Sequence, residues 1–219
     1  MIISIEGIDG AGKNTLVTAL KSYFDSSVSE ISLEVLSFPR YETSIQAAAA
    51  AAALKGDNPE VLNSPYAMAS IFALDRLAVR AQLCAAAADP QKLVLLDRYV
   101  ASNAAYSMAR VGQENAPHGE ISQWIYDLEF TKFQLPIPAL QVFLATPPNT
   151  AAIRAAQRES QDNSRYRDSY ERDFSLQNRT FSAYQNLAQA NWAGKWLVTS
   201  DASQIIASWE QLQAGNLSP

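Results

Sequence analysis

A chain of 219 residues, 48% hydrophobic and 18% charged, has the composition of an ordinary globular protein with one substantial core. Its 22 acidic against 17 basic residues leave a formal net charge of -5, which argues against a nucleic-acid partner, because a polyanion is met by a basic footprint. One cysteine, Cys84, excludes a disulfide framework and points to a reducing compartment, and the uncharged run Ile45 to Leu54 is shorter than the roughly 20 apolar residues of a membrane span.

Met1 to Ile5 lack the basic start of a secretory leader and read as a strand, Ile2 to Glu6, so a cytoplasmic protein is expected. The strand runs into Gly7-Ile-Asp-Gly-Ala-Gly12-Lys13-Asn14-Thr15, one letter from the phosphate-loop pattern G-x-x-x-x-G-K-[ST]. Gly7, Gly10 and Gly12 let the backbone turn and aim its N–H groups inward, and Lys13 adds a positive charge at the start of a helix running to about Phe24. Asn14 stands where a hydroxyl usually meets magnesium. Thr15 lies about 100° further round the helix and is not a free substitute.

The next strand is expected over Glu34 to Phe38. The alanine run Ala47 to Ala53 predicts a helix stopped by Lys55-Gly56 and packed closely on a neighbour, with a subunit contact as the alternative. Ser64-Pro65 supplies an N-cap and a first-turn proline for a long helix reaching about Ala88, where Asp89-Pro90 stops it. Cys84, inside this apolar helix, reads as a small core residue. Phe72 and Arg76 share one face of it by their spacing of four.

Leu93 to Asp97 is an unbroken apolar strand, suited to a central position covered on both faces, and it delivers Asp97 and Arg98 together at its carboxyl end. Asp97 suits a metal-bound water, and Arg98 suits bidentate phosphate recognition; a plain salt-bridged strand end is the alternative. Ser102, Asn103 and Tyr106 share a face of the following helix. His118, between Pro117 and Gly119, reads as a loop or helix-start residue.

A strand over Leu140 to Ala145 and another over Trp196 to Thr199 complete a five-stranded parallel sheet flanked by helices, an α/β fold in one domain over 1–219. Between them Arg154 and Arg158 share a helix face, and Arg165 and Arg167 follow in a polar stretch, Glu159 to Asp168, expected to be a mobile loop. Four arginines in fourteen residues are either a solvated face or a lid over transferring phosphates. Asp168-Ser-Tyr-Glu171 fits a capping box, with Asp168 capping and Glu171 reaching back.

Together these stretches resemble the thymidylate kinase (dTMP kinase) family of P-loop nucleoside monophosphate kinases. The resemblance spans nearly the whole chain and rests on IEGIDGAGK, FPRY at Phe38 to Tyr41, FALDR at Phe72 to Arg76, DRYVASNAAY at Asp97 to Tyr106, the arginine-rich segment and SYERD at Ser169 to Asp173. It implies a three-layer P-loop kinase fold with a short lid over about 154–168, ATP as phosphoryl donor, dTMP as acceptor, Mg2+ as cofactor and a homodimer.

On that resemblance Gly7, Asp9, Gly10, Ala11, Gly12, Lys13, Asn14 and Thr15 would hold ATP with Arg154, Arg158 and Arg165. Phe72 would stack on thymine, Arg76 and Asn103 would meet its polar edge, and Tyr106 would crowd the sugar's 2′ position. Phe38, Arg40, Tyr41, Arg98, Ser102, Asp168 and Tyr170 would complete the dTMP site, and Asp9, Glu171 and Asp97 would hold magnesium. Catalysis would fall to Lys13, Arg98, Asp9, Arg154 and Arg158. Alternatives are another nucleotide kinase of the same fold, an inactive paralogue, or a GTPase-like switch, for which the guanine-reading N-K-x-D motif is missing.

Overall fold

Five parallel strands in the order β2-β3-β1-β4-β5 form the sheet: β1 Ile2–Glu6, β2 Ser32–Ser37, β3 Lys92–Asp97, β4 Leu140–Phe143 and β5 Trp196–Val198. The computed structural model describes residues 1–26, 31–161 and 168–215. β1 lies between β3 and β4, with Ile3 opposite Leu95 on one side and Leu140 on the other. Leu93, Val94, Leu95 and Leu96 are all fully buried, as their unbroken apolar run predicts. Burial of such a side chain contributes roughly 1.5–3 kcal/mol, so this interior strand, beside the central β1, anchors the core.

The helices are α1 Lys13–Ser26, α2 Ile45–Lys55, α3 Pro59–Asn63, α4 Pro65–Leu77, α5 Arg80–Ala88, α6 Val100–Val111 and α7 Glu120–Tyr126. After α7 the chain continues directly into a π-helical turn, Asp127–Lys132; α8 Pro148–Gln161, α9 Ser169–Arg172, α10 Phe174–Gln189 and α11 Ala202–Gln213 follow. Among the described residues no helix is long and apolar enough to cross a membrane.

The alanine run forms α2 between the expected stops. Ser44 Oγ accepts from the Ala47 amide at 3.1 Å, and Gly56, at φ 97, closes the carboxyl end in a conformation that costs a side-chain-bearing residue more. Its neighbour is α4: Ala50, Ala53 and Leu54 pack against Met68, with Phe72 and Tyr170 laid on the same cluster. Small side chains let the two helices approach closely, and this brings Leu54 to the site described below.

The single long helix expected from Pro65 to about Ala88 is two. Val79 (φ -113, ψ 15) leaves the helical region, and its amide bonds Arg76 O only three residues back, at 3.1 Å. This tight turn ends α4 before α5 begins, and no glycine or proline announces it in the sequence. Cys84 is half-buried and not a core residue; its thiol lies 3.8 Å from Gln134 O. His118 is exposed just ahead of α7, as read.

Candidate active site

The carboxyl ends of β1, β2 and β3 meet at one edge of the sheet, where strand order reverses about β1 and open α/β sheets hold their ligands. Two cavities open there. Gly10, at φ 78, approaches the β4–α8 side so closely that a Cβ would stand 2.1 Å from Ala151 O, so no other residue fits this turn. Thr146 Oγ1 donates to Ala11 O at 2.8 Å and ties the loop to the strand beside it.

Lys13 is buried beneath the loop, its ammonium donating to Ile8 O at 3.0 Å and Gly7 O at 3.2 Å. Burial, then the neighbouring Arg98 charge, lowers its pKa to about 8, against the opposing pull of Asp9, Asp97 and Glu6. The loop cavity, about 530 Å³, opens to solvent and is lined by Gly10, Gly12, Lys13, Asn14, Thr15, Asp97, Arg154, Arg158 and Glu171 among others. Asn14 and Thr15 are both exposed onto it, so the turn of the helix does not carry Thr15 away from the cavity as the sequence suggested. Gly7 and Ala11 shape the loop from behind this lining.

The second cavity, narrower at about 90 Å³, is lined by Leu54, Met68, Phe72, Arg76, Ser102, Asn103, Tyr106, Arg110 and Tyr170. Apolar walls with a few placed polar groups suit a small planar ligand. Asp9, Phe38, Pro39, Tyr41, Arg98 and Asp168 line both cavities and so mark their junction.

At that junction Arg98 Nη2 and Asp9 Oδ1 pair at 2.5 Å, and Tyr106 Oη and Gln177 Nε2 donate to Asp9 Oδ2 at 2.5 and 3.1 Å. Burial works against the charged carboxylate, but Arg98 and Lys13 outweigh it and hold Asp9 at about 2. Arg98 sits at φ 68, an uncommon conformation for a side-chain-bearing residue, with its amide bonded to Ile5 O at 3.0 Å. Its Nη1 reaches Ser102 Oγ at 3.2 Å, and Ser102 in turn bonds Glu6 Oε2 at 2.7 Å and Tyr184 Oη at 2.6 Å. Burial pushes the fully enclosed Glu6 carboxyl upward.

The expected set is largely brought together, with differences. Arg40 is absent from both linings: its amide, Nε and Nη2 are all spent on Asp75, so it braces the Phe38-Pro39 turn from behind. Arg76 and Asn103 line the apolar cavity but also pair with Glu129. Asp168 caps α9, accepting from the Tyr170 and Glu171 amides at 2.8 and 2.9 Å, while the Glu171 carboxylate turns to Arg158 Nη2 at 3.3 Å and not back to the cap. Burial, Asp9 and Asp168 raise Glu171 to about 7.

α8 continues through Glu159 to Gln161, where a loop was expected, and Asp168 belongs to the cap of α9. Arg165, Arg167 and the rest of 162–167 lie outside the described residues. Asp9, Asp97 and Glu171 do not converge as a set: among the described residues no three acidic, histidine or cysteine side chains gather as a metal-holding group. The sequence reading missed Glu6, Arg110, Glu129, Gln177 and Tyr184. Tyr184 and Gln177 come from α10, and no local pattern there distinguishes them from other buried helix residues.

Residues 5–212 match the family model described as Thymidylate kinase. The chain is 46% identical over 198 residues to a thymidylate kinase of Mycobacterium tuberculosis (strain H37Rv), covering 90% of each chain. It is 28% identical over 193 residues to a probable thymidylate kinase of Thermococcus gammatolerans, covering 86% of this chain and 83% of that one. With a thymidylate kinase of Bifidobacterium longum (strain NCC 2705) it shares 26% identity over 215 residues, 98% of this chain and 96% of the other.

Proposed function

The chain belongs to the thymidylate kinase family, whose reaction is the ATP-dependent phosphorylation of dTMP, and we propose that its two cavities divide the substrates, dTMP in the apolar one and the ATP phosphates in the loop. The observation that carries this division is the shared wall. Asp9 and Arg98 face both cavities, so a phosphate entering from each side meets the same guanidinium.

Phosphate monoesters have a second pKa near about 6, so the acceptor oxygen is already anionic at neutral pH and no general base is required. The chemistry reduces to bringing two anions together and neutralising charge spread over the transferring group. Lys13 and the loop amides hold the donor phosphates, Arg154 and Arg158 reach the same cavity from α8, and Arg98 orients the acceptor phosphate beside Tyr41. Asp9 fixes the Arg98 guanidinium, and Tyr106 and Gln177 fix Asp9.

Of the three carboxylates, which do not gather as a set, Asp97 is the one whose chemistry fits a magnesium ion as it stands. Asp97 Oδ1 is buried at the edge of the loop cavity and makes no hydrogen bond. Asp97 would hold the ion through water, whereas Asp9, bonded to Arg98, Tyr106 and Gln177, and Glu171, bonded to Arg158, would have to give up those partners to join it; magnesium favours one or two carboxylates plus waters and phosphate oxygens. When bound it supplies further neutralisation of phosphate charge. From the family resemblance, and not from the cavities, we further propose a cytoplasmic homodimer.

Phe72→Ala tests the division of substrates. A base–aromatic stack contributes about 1–3 kcal/mol, so the KM for dTMP rises about 5- to 150-fold while the KM for ATP holds, in a coupled assay varying each substrate in turn. A rise in the ATP constant instead would reverse the assignment of the cavities.

A pH series probes the loop. With Lys13 lowered to about 8, the ammonium of the free enzyme gives way to a neutral amine as pH rises past that value, and its attraction for phosphate is lost. The KM for ATP therefore climbs between about pH 8 and 10 more steeply than the KM for dTMP. Parallel curves for the two substrates would remove Lys13 from ATP binding.

A further inference from the structure

Thymine and cytosine differ at two neighbouring edge positions: thymine offers a carbonyl acceptor at C4 and an N3–H donor, cytosine an amino donor and an N3 acceptor. An asparagine amide carries one donor end and one acceptor end, so it meets either base unless its orientation is fixed from behind. Discrimination then depends on a residue that never touches the ligand.

Behind Asn103 and Arg76 stands Glu129, whose side chain is fully buried in the π-helical turn Asp127–Lys132. The turn is marked by the Phe133 amide bonding Leu128 O five residues back at 2.9 Å, a geometry frequent at functional sites. Glu129 Oε2 accepts from Arg76 Nε at 2.5 Å, and Oε1 accepts from Arg76 Nη2 at 2.7 Å and from Asn103 Nδ2 at 2.8 Å. Asn103 Nδ2 also donates to Ala69 O at 3.0 Å.

Both neighbours of the Asn103 nitrogen are therefore acceptors. Turning the amide over would press its oxygen against a carboxylate and a carbonyl, so the nitrogen is held inward and Oδ1 is left as the acceptor for a ligand. The fork of Arg76 is spent on Glu129 through Nε and Nη2, and Nη1 is the nitrogen that Glu129 does not take up. Arg76 and Asn103 both line the apolar cavity, so it displays one fixed donor beside one fixed acceptor, the complement of thymine and the mismatch of cytosine.

We propose that Glu129 is a specificity-determining positioning residue, which locks Arg76 and the Asn103 amide into a donor–acceptor pair that accepts a thymine or uracil edge and rejects a cytosine edge. The proposal rests on the reading of the apolar cavity as the dTMP site. A site built to hydrogen-bond its substrate can reject a mismatched analogue by about 10⁴–10⁵, so loosening the lock has a large range in which to show.

The test is Glu129→Gln in a reaction where dTMP and dCMP compete, because the ratio of their kcat/KM values does not depend on how much enzyme is folded. The substitution takes the carboxylate away from both Arg76 and Asn103 and leaves Ala69 O as the one acceptor holding the Asn103 nitrogen, so the pair is loosened and the preference for dTMP over dCMP falls at least about tenfold. The dTMP-to-dUMP ratio, which compares identical edges, stays within about twofold, and Glu129→Asp, which keeps the carboxylate, retains more of the dCMP rejection than Glu129→Gln. If Glu129→Gln lowers turnover of dTMP and dCMP alike, the residue is structural and the proposal is overturned.

Failure of the underlying site reading looks different: the wild-type protein would show no preference for dTMP over dCMP, and Phe72→Ala would leave the KM for dTMP unchanged. Should the Glu129 variants not fold, exchange of the Asn103 side-chain amide protons in the 15N-labelled, dTMP-free wild-type protein decides. Slow exchange is expected, and exchange as fast as that of an exposed asparagine overturns the lock.

Discussion

Lys13→Ala is expected to lower kcat by about a thousandfold while the KM for dTMP stays within about twofold. Lys13 lies buried at the start of α1, its ammonium 3.0 Å from Ile8 O and 3.2 Å from Gly7 O. Two interactions disappear with it: the tie that holds the loop closed and a desolvated positive charge beside the donor phosphates. Charge spreads onto the phosphoryl oxygens as the bond to the donor breaks, so such a cation matters more in the transition state than in the bound ground state. The remaining loop amides keep part of the ATP affinity. Single-turnover kinetics with ATP and dTMP would show the loss in the chemical step, and Lys13→Arg would not restore it, because a planar fork does not replace a compact ammonium in a site closed by backbone carbonyls.

Arg98→Ala carries the second large effect, on stability as well as activity. The guanidinium pairs with Asp9 at 2.5 Å and also reaches Ser102 Oγ, and its removal leaves a nearly buried carboxylate with only Tyr106 and Gln177 as donors. Both side chains keep some exposure, so breaking the pair on one side costs less than in a fully buried site, about 2 kcal/mol, and lowers Tm by about 4–8 °C in a domain of this size. Turnover falls by more than about a thousandfold, since the variant loses the cation shared by both cavities.

The acid dependence separates this loss from a general weakening. Asp9 is held at about 2 against an ordinary 3.8, so its ion pair stabilises the fold above about pH 4 and is lost as pH falls through 2. Urea denaturation between pH 5 and 2 should therefore show the difference between wild type and variant shrinking as pH falls. A constant difference would assign the loss to packing.

The sheet was legible because parallel strands covered on both faces write themselves as apolar runs; Leu93 to Leu96 is the clearest case. The phosphate loop was legible because glycine spacing reports backbone geometry directly, and α2 because Ser44 and Gly56 are strong local stops. Where the reading failed, the information was not local. The break at Val79 has no glycine or proline to announce it, and Arg40, read as a cavity residue from its place in FPRY, is drawn away by Asp75 on α4. Glu129 meets Arg76 across 53 residues and Asn103 across 26, from a turn whose sequence, DLEFTK, looks like any exposed helix. The acidic residues were each placed in or near the site, but whether they gather as ligands depends on how β1, β3 and α9 are arranged in space.

The division of substrates between two cavities that meet at Asp9 and Arg98 is tested most directly by a crystal structure with dTMP and a non-hydrolysable ATP analogue bound. The predicted result is thymine against Phe72 with its edge on Arg76 and Asn103, its phosphate about 3 Å from Arg98, and the triphosphate on the loop amides and Lys13. Thymine seated in the loop cavity, or a dTMP phosphate out of reach of Arg98, would contradict the account.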